Sequence, residues 1–433
     1  MLETTREAIL RRILAGKVDV AEAALLLGLS ERQVWRLKAR FLAGRTLAHG
    51  NRGRAPANRV DPALAARVVA LAKERYAGIN DSHLTELLAS REGIQLSRPS
   101  VQRILRGAGL ASPRRHRRAK YRARRERRAA AGMLVQFDGS PHHWFGRTRP
   151  RASLLGAIDD ATGDVVGAIF REQEDAAGYF AVLGQLLEAH GVPLAAYTDK
   201  HSIFVGVPRR RESIEEELAG QRQPTQLGRA FAELDVELIL AHSPQAKGRV
   251  ERLWETFQDR LVAELRLAGI TPDIAGANAF LPGYLERHNA RFAVAAADPE
   301  PAWRPLPEGK TVESVCCFKY SRLVAADNTV RLDGQRLQLP PRSTHWSWAG
   351  QRVEVRQHLD GSWSVYAPGG HELARSAAPK TTPTLRAKPY ARAPISGVQP
   401  LRRGANSPWR KGYTNWHPAA AARTLRATRG RSA

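Results

Sequence analysis

Three acidic residues sit in settings that ordinary surface carboxylates rarely have: Asp138 in MLVQFDGSPHHW, Asp199 in AAYTDKHS and Glu251 in AHSPQAKGRVERLWETFQDRL. Carboxylate oxygens select hard divalent cations. Two such ions about 3.5–4 Å apart can activate an oxygen nucleophile, neutralise a phosphate and stabilise the leaving oxygen. The matching chemistry is hydrolysis or transfer at a phosphodiester, with Asp138 bridging both Mg²⁺ ions, Asp199 binding one and Glu251 the other. Taken singly, each Asp is as readily a cap or a turn residue, so the case rests on rigid elements that make the three converge. LVQFD and LAAYTD are short apolar runs that each close on an acid, and Glu251 opens an amphipathic helix running through RLWETFQDRLVAELRLAG.

The surrounding elements supply that frame. After LVQFD come the hairpin SLLGAIDDATGDVVGAIF, the helix AAGYFAVLGQLLEAHG, the strand LAAYTD, the helix QLGRAFAELD, the strand VELILAHS and then the Glu251 helix. That order predicts an α/β, ribonuclease-H-like core over 131–300, a mixed five-stranded sheet flanked by helices. Asp160 reads as a turn residue of the hairpin, while Asp159 is either a turn residue or a further ligand. Trp254 and Phe257 are expected to hold the Glu251 helix to the sheet. Lys247 and Arg249, just before Glu251, are placed to meet a DNA backbone, with Ser243-Pro244 as a strand stop. Lys200 and His201, just after Asp199, are either DNA contacts or a solvated loop. His142 and His143 have no second His/Cys pair at zinc spacing and read as hydrogen-bonding or DNA-contact residues.

Charge points to the same substrate. The 433 residues carry 68 Lys plus Arg against 42 Asp plus Glu, net +26, with a pI near 11.0, which forecasts a polyanionic partner. Residues 1–130 hold net +18 and residues 375–433 net +13, which leaves −5 for the stretch between. Basic ends around a slightly acidic middle describe arms that grip nucleic acid around a metal-dependent centre. The only cysteines, Cys316 and Cys317, are adjacent, which suits neither a disulfide framework nor zinc. No apolar run of membrane-spanning length and no secretory leader stand out, so a cytoplasmic, nucleoid-associated protein is expected.

The chain reads as multidomain. Residues 1–46 form an all-α helix-turn-helix unit whose apolar positions are Val20, Ala23, Leu26, Leu29, Val34 and Leu37. Ser30 with Gln33 fits a capping box, and the second helix would present Arg32, Arg36, Lys38 and Arg40 to DNA. Residues 47–60 are a linker in which Arg52 and Arg54 either enter a minor groove or stay solvated. Residues 61–111 predict a second helical DNA-binding unit, with Ser97 to Leu105 as its recognition helix and Arg98, Gln102, Arg103 and Arg106 available for contacts. The 112–130 linker packs ten basic residues and one acid into positions 114–128, Arg114, Arg115, Arg117 and Arg118 among them, a run suited to tracking phosphates. Short β runs and Asp-Gly turns over 318–372 predict a small SH3-like β-barrel, and 373–433 a basic tail disordered on its own.

IDDATG, TDKHSIF and above all SPQAKGRVER, with DGS-H-W around the first Asp, resemble the integrase-type DDE transposases of bacterial insertion sequences, an ISNCY-like group within the retroviral-integrase superfamily. The likeness covers about 15–300 well and the β-rich C-terminus loosely. It implies Asp138, Asp199 and Glu251 as a metal-binding triad, two Mg²⁺ or Mn²⁺ ions, and strand cleavage and transfer of a mobile element. The implied partners are double-stranded DNA, as terminal inverted repeats and as target, and further copies of the chain in a homodimer or homotetramer. The 52-residue step from Asp199 to Glu251 is longer than in retroviral integrases, and the charged segment 207–225 accounts for the excess. A nuclease of the same fold without strand transfer, and a DNA-binding regulator without catalysis, are the alternatives.

Overall fold

The computed structural model describes residues 2–48, 59–113, 126–199, 202–204, 224–240, 248–342, 347–379 and 385. They group into two compact units, one made of 1–126, 142–152 and 243–286, the other of 127–141, 153–242 and 287–433. No helix among the described residues is long and apolar enough to cross a membrane.

In the first unit, α1 (Leu2–Leu14), α2 (Val20–Leu27) and α3 (Glu31–Leu42) build the expected helix-turn-helix. Asp19 caps α2 by accepting from the Glu22 amide, and Gly28, at φ +61, turns the chain where a Cβ would be strained. Two details differ from expectation. Ser30 stands at the N-cap of α3 but makes no side-chain cap hydrogen bond, so the predicted capping box is absent. Leu26 is 57% exposed. The inward stripe of α2 is Val20, Ala23, Ala24 and Leu27, the i, i+3, i+4, i+7 face, which turns Leu26 outward.

A second three-helix group follows: α4 (Pro62–Glu74), α5 (Asp81–Glu92) and α6 (Arg98–Gly107). Asp61 caps α4 ahead of Pro62, Asn80 caps α5 by accepting from the Ser82 and His83 amides, and Ser97 caps α6. Its core is Val68, Tyr76, Ile79, Leu84, Leu87, Leu88, Ile94, Val101 and Leu105, joined by Ala263 from much later in the chain. That residue belongs to α9 (Gly248–Leu267). Trp254 and Phe257 are buried in the same unit, Phe257 lying edge-on to Tyr284 with ring centroids 5.4 Å apart.

The second unit contains the mixed sheet. Strands β1 (Val135–His142), β2 (Ala152–Asp159), β3 (Val165–Arg171), β4 (Ala195–Thr198) and β5 (Glu237–Leu240) lie in the order β3-β2-β1-β4-β5. β2 and β3 pair antiparallel, while β1 with β4 and β4 with β5 pair parallel. β1 runs on to His142, so Asp138 lies within the strand rather than at its end, whereas β4 stops at Thr198, one residue short of Asp199. Helix α7 (Ala176–Ala189) packs on β3, and α8 (Gln226–Glu233) brings Phe231 against Phe137 of β1 at 5.5 Å. At the outer edge of β3, side-chain amides occupy backbone groups: Asn289 bonds both the N–H and the C=O of Val165, and Gln185 accepts from Ala168.

After α10 (Ile274–Phe292) and the short α11 (Val312–Val315), the C-terminal strands form two sheets. β6 (Phe318–Leu323), β9 (Arg352–Gln357), β10 (Trp363–Tyr366) and β11 (Glu372–Arg375) make a four-stranded antiparallel sheet in the order β11-β10-β9-β6, and β7 (Thr329–Leu332) with β8 (Gln335–Gln338) a separate hairpin. Asp333 and Gly334 both adopt positive φ at its turn, the pairing an Asp-Gly hairpin favours. Among the described residues no strand pairing joins these two sheets into a closed barrel. One face of α8 fastens the four-stranded sheet to the core. Gln226 pairs with the Lys319 backbone in both directions, Arg229 donates to the Cys317 carbonyl, and Glu233 accepts from Lys319 and Arg229.

Candidate active site and DNA-facing helices

Period-two alternation sends Val135 and Phe137 into the core under α7 and α8 and leaves Gln136 and Asp138 on the opposite face of β1. The register pairs Val135 with Ala196 and Gln136 with Tyr197. Two residues further along the same register, Asp138 comes level with Asp199, and both are half-buried. This point lies between β1 and β4, where the strand order reverses direction. Open α/β sheets place ligands there, outside the carboxyl ends of parallel strands.

A third carboxylate that sequence reasoning missed belongs to this neighbourhood. Tyr179 of α7 donates from its hydroxyl to Glu174 Oε1 at 2.6 Å. Burial pushes its phenol well above the usual range, and the negative charges of Glu174, Asp138 and Asp199 push it the same way. A Cβ on Gly139 would come within 2.9 Å of the Glu174 carboxyl group, so the glycine after Asp138 makes room for that acid. The pairing of Asp138 with a following Gly was the available signal. Among the described residues no three of His, Cys, Asp and Glu stand together as a group that could hold a metal ion.

The other acids of the sheet are structural. Asp159 is 1% exposed and accepts from the amides of Ala161, Thr162 and Gly132 and from the Thr162 hydroxyl. Asp160 is fully buried and accepts from Gln136 Nε2 at 2.6 Å and from the Arg128 amide. Asp159 is thus a turn residue, and Asp160 braces the start of β1. Glu251 lies exposed in the first turn of α9, in the other unit. His142 stacks edge-on to Trp144 at 5.3 Å, and His143 Nδ1 lies 3.3 Å from the Arg149 carbonyl.

Comparisons with known proteins bear on the whole chain. The "Putative transposase y4bF" of Sinorhizobium fredii is 38% identical over 371 residues, covering 85% of this chain and 79% of that one. The "Transposase for insertion sequence IS1202" of Streptococcus pneumoniae is 34% identical over 357 residues, covering 73% and 75%. The chain belongs to the transposases of insertion sequences. A winged helix-turn-helix family matches residues 6–66, from α1 into the N-terminal part of α4. Among solved structures, a chain from the simian T-cell lymphotropic virus intasome in complex with the PP2A regulatory subunit B56 gamma is 15% identical, covers 71% of this chain and 95% of that one, and has a TM-score of 0.30, a likeness too slight to carry an argument.

The transposase's helix-turn-helix turns cations outward. On α3, Val34 and Leu37 are buried while Arg32, Arg36 and Arg40 are exposed, and Lys38 lies half-buried over the Trp35 ring at 5.0 Å. On α6, Arg98, Gln102 and Arg103 are exposed. Arg106 is not available as expected, because it binds Asp81 at 2.5 Å and the Leu110 carbonyl at 2.7 Å. Arg249 is half-buried in the first turn of α9. Arg52, Arg54, Arg114, Arg115, Arg117, Arg118, Lys200, His201, Ser243 and Lys247, with nearly all of 207–225 and of the C-terminal tail, lie outside the described residues.

Proposed function

We propose that this transposase cleaves the ends of its element and joins them to target DNA with Asp138, Asp199 and Glu251 as the catalytic carboxylates. The observation that carries this reading is the β1–β4 register, which sets Asp138 level with Asp199 where the strand order reverses. A donor set of carboxylate oxygens suits Mg²⁺ or Mn²⁺ and excludes soft metals. Two such ions, held by these three residues, would supply the activated oxygen nucleophile and the charge neutralisation that phosphodiester transfer needs. The chain's own part is to fix the acids on rigid elements. Glu174, tied by Tyr179 behind Gly139, adds negative charge beside Asp138 and favours cation capture.

Terminal inverted repeats would be read by α3 through Arg32, Arg36, Lys38 and Arg40 and by α6 through Arg98 and Arg103, with target DNA following. Arg52, Arg54, Arg114, Arg115, Arg117, Arg118, Lys200, Lys247 and Arg249 would meet phosphates. The C-terminal sheet and hairpin would act together as a small SH3-like module, and a dimer or tetramer would pair the two ends. Residues 1–46 and 61–111 would be the DNA-binding units, 47–60 and 112–130 their linkers, 131–300 the catalytic core, 318–372 the C-terminal module and 373–433 a basic tail.

The test is direct. The full chain is incubated with Mg²⁺ and a labelled duplex bearing the ends of the element that encodes it. Joined products are expected; cleaved ends alone would mean a nuclease, and a mobility shift alone a regulator.

A further inference from the structure

The helix that carries Glu251 in its first turn is gripped at its far end by the α4–α6 group. Arg260 of α9 donates through both terminal nitrogens to the two carboxylate oxygens of Glu86 on α5, at 2.6 and 2.9 Å. One turn on, Glu264 accepts from Arg91 at 2.6 Å and bonds His83 Nε2 at 3.0 Å. Asn80, the cap of α5, donates to Asp259, and Arg266 donates to the Ala77 carbonyl at 2.8 Å. Glu264 is 7% exposed and His83 3%. Each of these partners is more than 170 residues from its mate in sequence.

The α4–α6 group does not need this attachment for a core of its own. It buries a full set of apolar residues from its three helices, and α9 contributes one buried alanine with Leu267 packed beside it. The junction is therefore polar and directional rather than adhesive. Forked Arg–carboxylate bonds fix angle as well as distance, and a buried pair resists separation because either partner left alone is an uncompensated charge away from water. A continuous α-helix is stiff, and the 13 residues between Glu251 and Glu264 span about 20 Å at 1.5 Å per residue. Whatever sets the attitude of α5 sets the attitude of the turn bearing Glu251.

We infer that Arg260 and Glu264 are positioning residues through which DNA held by the α4–α6 group governs the placing of Glu251, so that cleavage is coupled to correct engagement of the element's end. This rests on the role proposed above for Glu251. It assigns the ion pairs a task distinct from affinity: end binding belongs to α6, and the α5–α9 pairs act on the chemistry after binding.

The experiment is a charge exchange in the full chain, measured on the same labelled end duplex with Mg²⁺. Arg260→Glu and Glu86→Arg should each slow single-turnover cleavage at saturating DNA by about tenfold or more, a coupling of ordinary allosteric size, with end affinity of the folded protein close to wild type at a temperature well below the lowered melting point of each single variant. The double exchange should restore cleavage, as a pair that acts by its geometry and charge must. Glu264→Gln, a milder change, should slow cleavage in the same sense if either reversal fails to fold. Wild-type cleavage by folded single variants, or a double exchange as slow as the singles, would overturn the inference. Glu251→Gln run in parallel separates the two readings: if it cleaves normally the assignment of Glu251 is wrong, and if it is inert while the exchanges are silent only the coupling is wrong.

Discussion

The start of β1 and the stretch three residues along treat aspartate in opposite ways. At the start, Asp159 and Asp160 are almost wholly buried and surrounded by donors from the backbone, Gln136 and Thr162. Further along, Asp138 and Asp199 are half-buried at the strand-order reversal, with another acid, Glu174, packed behind Gly139. The first setting spends the carboxylate on holding a turn; the second concentrates negative charge at a rim open to solvent. Burial alone would favour the pair that holds a turn over the pair proposed for catalysis.

The largest expected effect breaks the open pair. Asp138→Asn or Asp199→Asn should lower cleavage of the labelled end about a thousandfold, the several kcal/mol that metal-assisted charge stabilisation supplies, while melting temperature and end binding stay near wild type. Cleavage within a few-fold of wild type would remove that aspartate from the site. The closed pair should show the reverse. Asp159→Ala strands four donors and is expected to destabilise the fold by about 3 kcal/mol, measurable by denaturant unfolding, with activity lost only in proportion to unfolded protein.

Glu233 extends the contrast to a buried ion pair. Burial pulls its carboxyl up, but hydrogen bonds from Lys319 and Arg229 outweigh that and hold it at about 2, below its ordinary 4.5. Lys319 is itself shifted downward by burial despite the same partner, so the pair's net worth is less than the Glu233 shift suggests. A carboxyl depressed on folding contributes stability above its unfolded value and loses it as pH falls through the folded one. The wild type should therefore weaken between pH 4.5 and 2 more steeply than Glu233→Gln, which is less stable at neutral pH by about 3 kcal/mol because Lys319 loses its carboxylate. Parallel acid titrations of the two would refute the pairing.

The smallest effect compares two arginines on one helix. Arg103→Ala, exposed, should flatten the salt dependence of end binding by roughly one unit of slope. Arg106→Ala, whose guanidinium is committed to Asp81, should leave that slope alone and cost stability instead. Equal slopes for both variants would place Arg103 off the DNA.

The sheet elements and the N-terminal helices were legible because their signals are local: period two around VQFD and AAYT, period 3.6 in the helices, Asp61-Pro62 at a start and Gly28 at a corner. The pairing of Asp138 with Asp199 was legible only as two apolar runs ending in acids, and the register turned that likeness into adjacency. What could not be read depends on partners far apart in the chain. Glu174 looks like one more acid in REQED until Gly139 and Tyr179 are placed around it. Arg106 reads as a DNA contact until Asp81 claims it, and nothing in the α9 sequence names α5 as its mate. Leu26 was misjudged because an eight-residue helix has room for one inward stripe, and two alanines took it.

The amides at the rim of β3 have an effect outside catalysis. A sheet's outermost strand offers unpaired N–H and C=O groups that a neighbouring polypeptide can extend into a fibril or aggregate. Asn289 and Gln185 cover those groups at Val165 and Ala168 with side chains that mimic a neighbouring strand and then go no further. Assembly of copies by strand addition along this border is thereby disfavoured.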